Sequence, residues 1–411
     1  ALAEETLAAG DVYARRVVVS GSGLDYPLSA AQRLFQDRQI LGTHLVIDLD
    51  QPWDPDRFAR VWRGILADHP ILRSEVDAPA GIVRELDQAA WGGSGIVHVD
   101  LSERGPMAAR HAIDHLAFAA SPFNDPSRHD SPTLTHRVTT VERPGGGFTV
   151  IVPVSRLAFD VESREVLARR VVDGYAAGGP GMPDRRPYGD YLRFAALGPA
   201  DVDDDHVVRE LDLERFAAAV DAFPAQQPSE TVDVEHDLSP DAPPEAVERL
   251  IAEALGHGFG LDAVPLLLAV PGRHYRDGNF AGYIGQFGDF LPIVADPQTP
   301  GILATARWQL DYLRKHNLPV SSLLADPLMA SRLPRAVELV GRAGIGRIPV
   351  LNLVPPPPVG SLVVDADPWS GPGDALVINV LRTDECLVLQ GLPSQGNQLS
   401  GLIAEAEPGA E

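Results

Sequence analysis

The apolar positions of this chain change period several times. "THLVIDLDQ" (43–51) alternates apolar with polar, as a half-buried strand does. The following "DPDRFARVWRGILADHP" switches to the helical period: Phe58, Val61, Trp62, Ile65 and Leu66 share one face, with Asp54 or Asp56 as the cap. Upstream, in "LDYPLSAAQRLFQDRQI", Pro27 stops an extended piece and Ser29 is a good N-cap. Leu34, Phe35 and Ile40 then fall on a common helical face. After Pro70 the chain reads as a strand again. "TLTHRVTTVE" and "GGFTVIVPV" read as neighbouring strands joined by the Gly-rich turn "RPGGG". "SREVLARRVVDGYAAGG" is a helix closed by glycines.

The second half repeats this grammar. "APPEAVERLIAEALGHGFG" is a capped helix ending in glycine, and "AVPLLLAVPGR" is a helix or a strand. "FGDFLPIVAD" is a strand and "GILATARWQLDYLRKHN" a helix; "GRIPVLNLV", "DALVINVLR" and "ECLVLQG" are strands. Residues 176–206 between the halves are loop-rich, with a short helix in "PGMPDRRPYGDYLRFAA". The expected division is residues 20–178 and 179–411. Strand pairs beside amphipathic helices in both halves point to two α/β lobes, not a propeller or a bundle. "PPPP" (355–358) reads as a stiff surface connector.

Composition narrows the partners. The chain of 411 residues is 45% apolar and carries a formal charge of −23. That charge disfavours nucleic acid and anionic membrane, and suits basic protein surfaces or simple solubility. The single cysteine, Cys386, excludes an internal disulfide framework and a cysteine-rich metal site; it reads as a small hydrophobe in a strand. No apolar run reaches the roughly 18 residues of a membrane helix, and no basic-then-apolar leader opens the chain. The expected setting is the cytoplasm. "LAEETLAAG" and "IAEAEPGAE" at the two ends read as linker remnants of an excised domain.

Familiar catalytic signatures are missing. There is no Walker-type loop, no dinucleotide glycine pattern and no His-Glu-x-x-His helix. His69, His257 and His316 all sit at helix ends, where a structural role accounts for them. The informative stretch is "VIVPVSRLAFDVES" (150–163), a buried run that turns polar at Ser155 and Arg156 and is followed by Asp160. A buried carboxylate needs a cation or several donors. Arg73, in "HPILRSEV", is the candidate partner for a structural clamp with Asp160.

These residues carry a resemblance to the condensation domains of nonribosomal peptide synthetases, in the chloramphenicol-acetyltransferase-like superfamily. "PLSAAQRLF" (27–35) resembles the opening segment of that family, and "DHPILRSEV" (68–76) its "RHExLRTxF". "VPVSRLAFDVES" (152–163) stands in the place of the active-site "HHxxxDGxS". "RPYGDYLRFA" (186–195), "YIGQFGDFLPIV" (283–294), "HNLPVSSLL" (316–324) and "VLNLVP" (350–355) follow in the family's order. The resemblance implies two acetyltransferase-like lobes in a V with a tunnel between them. It implies no resident cofactor: the pantetheine arm of a peptidyl carrier protein enters as tethered substrate. It also implies the Asp160–Arg73 clamp.

The departures fall on the motif. Ser155 takes the first histidine position, Arg156 the second and catalytic one, and Val161 replaces the glycine. Asp289 and Phe290 replace an Asn-Thr pair. Arginine does not deprotonate in proteins and cannot act as a base. Asp160 and Ser163 fit the heterocyclising variant "DxxxxDxxS", but Ser155 breaks it. The oxygenase-recruiting X-domain subclass has Arg at this position, in "HRxxxDD", although Ser155 and Val161 depart from it. The leading expectation is therefore a non-catalytic, condensation-like docking platform for a carrier protein, a tailoring haem monooxygenase, or both. The alternative is an acyltransferase that joins carrier-bound acyl and amine groups by positioning them. Ser155, Arg156, Val161, Ser163 and Asp289 are the expected tunnel-lining residues.

Overall fold

The computed structural model describes residues 24–37, 42–77, 79–87, 96–119, 133–179, 184–195, 202–223, 243–273, 279–296, 298, 301–343, 347–354, 377–382, 387–392 and 402–403. Cys386, the proline run and both chain ends lie outside them. The described residues form two compact units. One takes those up to 195 together with the returning segment Phe280–Phe287; the other takes the rest.

The first unit is built on a four-stranded sheet. β2 (Gly42–Leu49) and β7 (Val138–Glu142) flank β8 (Phe148–Ser155) in antiparallel register, and β5 (Ile96–Asp100) runs parallel to β7. The expected Gly-rich turn joins β7 to β8: Arg143 N–H donates to the Gly147 carbonyl at 3.0 Å, and Gly145, Gly146 and Gly147 all have positive φ. A Cβ on Gly147 would stand 2.6 Å from the Leu49 carbonyl, so the turn needs glycine there.

All eight residues of β8 are buried because helices cover both sheet faces. On one face α3 (Pro106–Ala119) packs Ile113, Leu116 and Ala117 against Val46, Val141 and Ile151. On the other, Phe148 meets Phe58 of α2 (Pro55–Asp68) at 6.0 Å and Tyr175 of α4 (Val161–Ala177) at 4.9 Å. The apolar face expected for α2 is buried throughout, and Asp54 caps it by accepting from Arg57 N–H at 2.9 Å. Each of those side chains contributes on the order of 2 kcal/mol by burial. Pro70–Arg73 forms a single 3-10 turn before the strand expected there, as the preset φ of Pro70 favours.

A second sheet in this unit orders β1 (Leu24–Pro27), β4 (Ile82–Glu85), β3 (Ser74–Asp77) and β6 (Thr133–Leu134). α1 (Ala30–Asp37) follows β1 through a reciprocal capping box: Ser29 Oγ accepts from Gln32 N–H at 3.2 Å and Gln32 Oε1 accepts from Ser29 N–H at 2.9 Å. α5 (Tyr188–Ala195) closes the unit.

The second unit carries α6 (Asp204–Glu210), α7 (Leu213–Ala222), α8 (Pro244–Phe259), α9 (Ile302–His316), α10 (Val320–Ala325), α11 (Pro327–Arg332) and α12 (Pro334–Gly341). Its strands are β9 (Val264–Val270), β10 (Asp289–Ala295), β11 (Val350–Val354), β12 (Val377–Arg382), β13 (Leu387–Leu392) and β14 (Leu402–Ile403), ordered β10-β9-β11-β12-β13-β14. "AVPLLLAVPGR" is thus a strand, paired antiparallel to β10 and parallel to β11. A seven-residue run buried on both faces has no alternation to separate strand from helix. No helix among the described residues is long and apolar enough to cross a membrane.

Candidate functional site

The site is the turn between β8 and α4. Ser155 ends the strand, with its N–H donating to the Thr135 carbonyl at 2.8 Å. Its carbonyl accepts from Ala158 N–H at 2.9 Å, and its Oγ accepts from Leu157 N–H at 3.2 Å. The Gln32 amide donates to the Leu157 carbonyl, tying the turn to α1. Half-buried Arg156 rides on this pinned turn.

Asp160 caps α4. Its Oδ1 accepts from Ser163 N–H at 2.8 Å and lies 2.6 Å from Ser163 Oγ. The returning segment joins here: Asp160 N–H donates to the Gly285 carbonyl at 3.1 Å, and Gly285 N–H donates to Ser163 Oγ at 3.0 Å. The single Ser163 hydroxyl proton has two acceptors in reach, Asp160 Oδ1 and the Gly285 carbonyl at 2.9 Å. Tyr188 OH donates to the Gln286 carbonyl at 2.5 Å, and its ring would lie 2.1 Å from a Cβ on Gly285. Glycine is the residue that lets the backbone approach so closely. Val161 opens α4.

One expectation is corrected. Arg73 does not clamp Asp160; its Nη2 pairs with Glu85 Oε1 at 2.8 Å, and the rest of its fork donates to the Leu66 and Leu86 carbonyls. The β3–β4 register puts Glu85 opposite Ser74, next to Arg73, whereas Asp160 spends its acceptor on its own helix. Glu85 was missed because only that register brings it to Arg73. Asp289 is buried, and its two oxygens accept from Val320 N–H at 2.9 Å and Ser321 N–H at 2.8 Å. It caps α10, whose own N-cap, Pro319, has no side chain for the task.

The histidines near the turn take opposite faces. His136 bridges Val154, so it faces Trp62 (ring centroids 5.5 Å apart) while Ser155 points to the other side. Burial holds its imidazole at about 3, well below the usual 6.5, although the Leu72 carbonyl opposes the shift. His69 is likewise held at about 3, first by burial and then by the Arg170 guanidinium. His44, opposite Pro153 on β2, shares the face of Ser155, whose own opposite residue is Gly42. No group of three or more metal-ligating side chains converges among the described residues.

This architecture is the chloramphenicol-acetyltransferase-like fold of condensation domains. The first condensation domain of the CDA synthetase matches it with a TM-score of 0.54 at 17% identity, over 89% of each chain. A mutant starter condensation domain of rhizomide synthetase, solved in complex with C8-CoA, matches with a TM-score of 0.57 at 15% identity, over 87% of this chain and 86% of that one. The epimerization domain of the third module of tyrocidine synthetase B matches with a TM-score of 0.52 at 13% identity, over 87% and 89%. No protein-family model matches the sequence, and no curated protein matches it by sequence.

Proposed function

We propose that the chain is a condensation-like domain of a nonribosomal peptide synthetase system that forms no amide bond itself. It serves as a docking platform for a peptidyl carrier protein, a tailoring haem monooxygenase, or both. The observation that carries this reading is Arg156, an arginine on a pinned turn at the position where the resembling family keeps its catalytic histidine. A guanidinium cannot take the proton from an attacking amine. His136 cannot stand in for the base, because it faces the other side of the sheet and burial makes its imidazole a poor proton acceptor. On this reading the pantetheine arm is a tethered guest, and no resident cofactor is required. The test is a condensation assay with loaded donor and acceptor carrier proteins, run beside calorimetry with carrier protein and oxygenase. Binding without amide formation is expected; amide formation well above background would overturn the proposal.

One observation favours a second reading, an active acyltransferase. His44 lies diagonally across the β2–β8 pair from Ser155, and both are on one face of the sheet. Diagonal cross-strand neighbours lie within reach of an imidazole. Condensation that disappears in His44→Gln and persists in Arg156→Gln would establish that reading.

A further inference from the structure

Helix α3 carries two histidines that neither the core nor the motif uses. Its buried stripe is Ala109, Ile113, Leu116 and Ala117, packed on the first sheet. His111 and His115, in "HAIDH" (111–115), lie on the opposite side of the helix, and both are exposed. Among the described residues neither imidazole has a hydrogen bond, an ion pair or a ring contact. The charged residues beside and between them pair with each other: Arg110 Nε lies 3.0 Å from Asp114 Oδ1.

Residues four apart on a helix stand one above the other, with Cβ atoms about 5–6 Å apart. An imidazole nitrogen binds zinc at about 2.0–2.1 Å, so two imidazoles at this spacing converge on one ion without moving the backbone. The same spacing separates the paired ligands of His-Glu-x-x-His and His-x-x-Glu-His zinc helices. Here Ala112 removes the glutamate base of the first pattern, and Asp114, at the acid position of the second, pairs with Arg110. The pair therefore offers chelation and no free hydrolytic base. We infer that His111 and His115 chelate one divalent transition-metal ion on the outer face of α3, with water completing its coordination. Imidazole suits copper, nickel and zinc, whereas magnesium and calcium prefer hard oxygen ligands. This site stands on α3 alone and is independent of the carrier-protein reading.

The test titrates Cu²⁺, Zn²⁺ and Mg²⁺ by calorimetry into the intact chain and into its His111→Gln, His115→Gln and double variants. The parent should bind one Cu²⁺, one Zn²⁺ more weakly, and no Mg²⁺. Loss of an outer-shell partner typically weakens metal binding about 10–100-fold, so loss of either ligand should weaken it at least about tenfold. The double variant should bind little worse than either single one, because a chelate fails with its first ligand. Zn²⁺ should raise the melting temperature of the parent and not of the variants, since it holds the helical arrangement. Single-variant affinities within about twofold of the parent would place the ion on other side chains and overturn the inference. So would two ions lost independently, one with each histidine, or a parent that binds neither Cu²⁺ nor Zn²⁺.

Discussion

Acid should destabilise this protein through two buried histidines. His69 and His136 titrate at about 3 in the folded chain, against an ordinary value of 6.5. Both values are lowered, so the unfolded chain binds protons that the native one refuses. The stabilisation is fully present above pH 6.5 and is lost as pH falls from there towards 3. About pH 5 lies roughly 1.5 units below the unfolded value of each imidazole, so each contributes a loss of about 1.36 × 1.5 ≈ 2 kcal/mol there. The pair then removes about 4 kcal/mol from a stability that is typically 5–15. The charged groups acting on His69 are Arg170 from α4, and Asp184 with Arg186 from the segment before α5. Urea unfolding at about pH 7.5, 6 and 5, in the parent and in the His69→Leu/His136→Leu double variant, isolates the effect because carboxylate contributions are common to both. The parent should lose about 4 kcal/mol more than the double variant across that range. Parallel pH profiles would refute the reasoning.

Arg73→Ala should cost about 3–5 kcal/mol in urea unfolding because it strands the buried Glu85 carboxylate. Arg73→Met combined with Glu85→Leu should recover most of that loss, whereas an Asp160–Arg73 clamp would predict no such recovery. Gly285→Ala should cost about 2 kcal/mol or more, since its Cβ would press on the Tyr188 ring, and Tyr188→Ala should relieve the clash in the double variant. Asp289→Ala should cost about 1–2 kcal/mol and lower the hydrogen-exchange protection of the Val320 and Ser321 amides.

Local patterns were readable wherever one short-range rule decided them. The α2 stripe, the Asp54 cap, the three-glycine turn and the helix-ending Gly178 and Gly260 all follow from residues within a turn or two of each other. The site was readable in part. Ser155, Arg156 and Asp160 were identified as the turn that matters, but the partner of each polar group depends on long-range register. Arg73 and Asp160 looked complementary in charge; the β3–β4 pairing gave Arg73 a carboxylate beside it instead. Asp289 looked like a substitution on a lining strand, yet its oxygens serve a helix thirty-one residues further on.

The two readings of the motif differ in how they respond to pH. The turn is held from every side: Ser155 by Thr135, Leu157 by Gln32, and Asp160 and Ser163 by Gly285. An arginine on such a fixed turn keeps its charge across the whole working range, because it does not deprotonate. Any binding that Arg156 supports is therefore flat with pH from about 6 to 9, and Arg156→Gln lowers it by the same factor throughout. A reaction assisted by an imidazole would instead depend on the protonation state of that imidazole. Measuring carrier-protein affinity and amide formation over the same pH series separates the readings in one experiment. A flat affinity that Arg156→Gln weakens uniformly, with no amide formed, fits a holding site. A pH-dependent condensation rate that Arg156→Gln leaves unchanged would assign the chemistry to the face that His44 shares with Ser155.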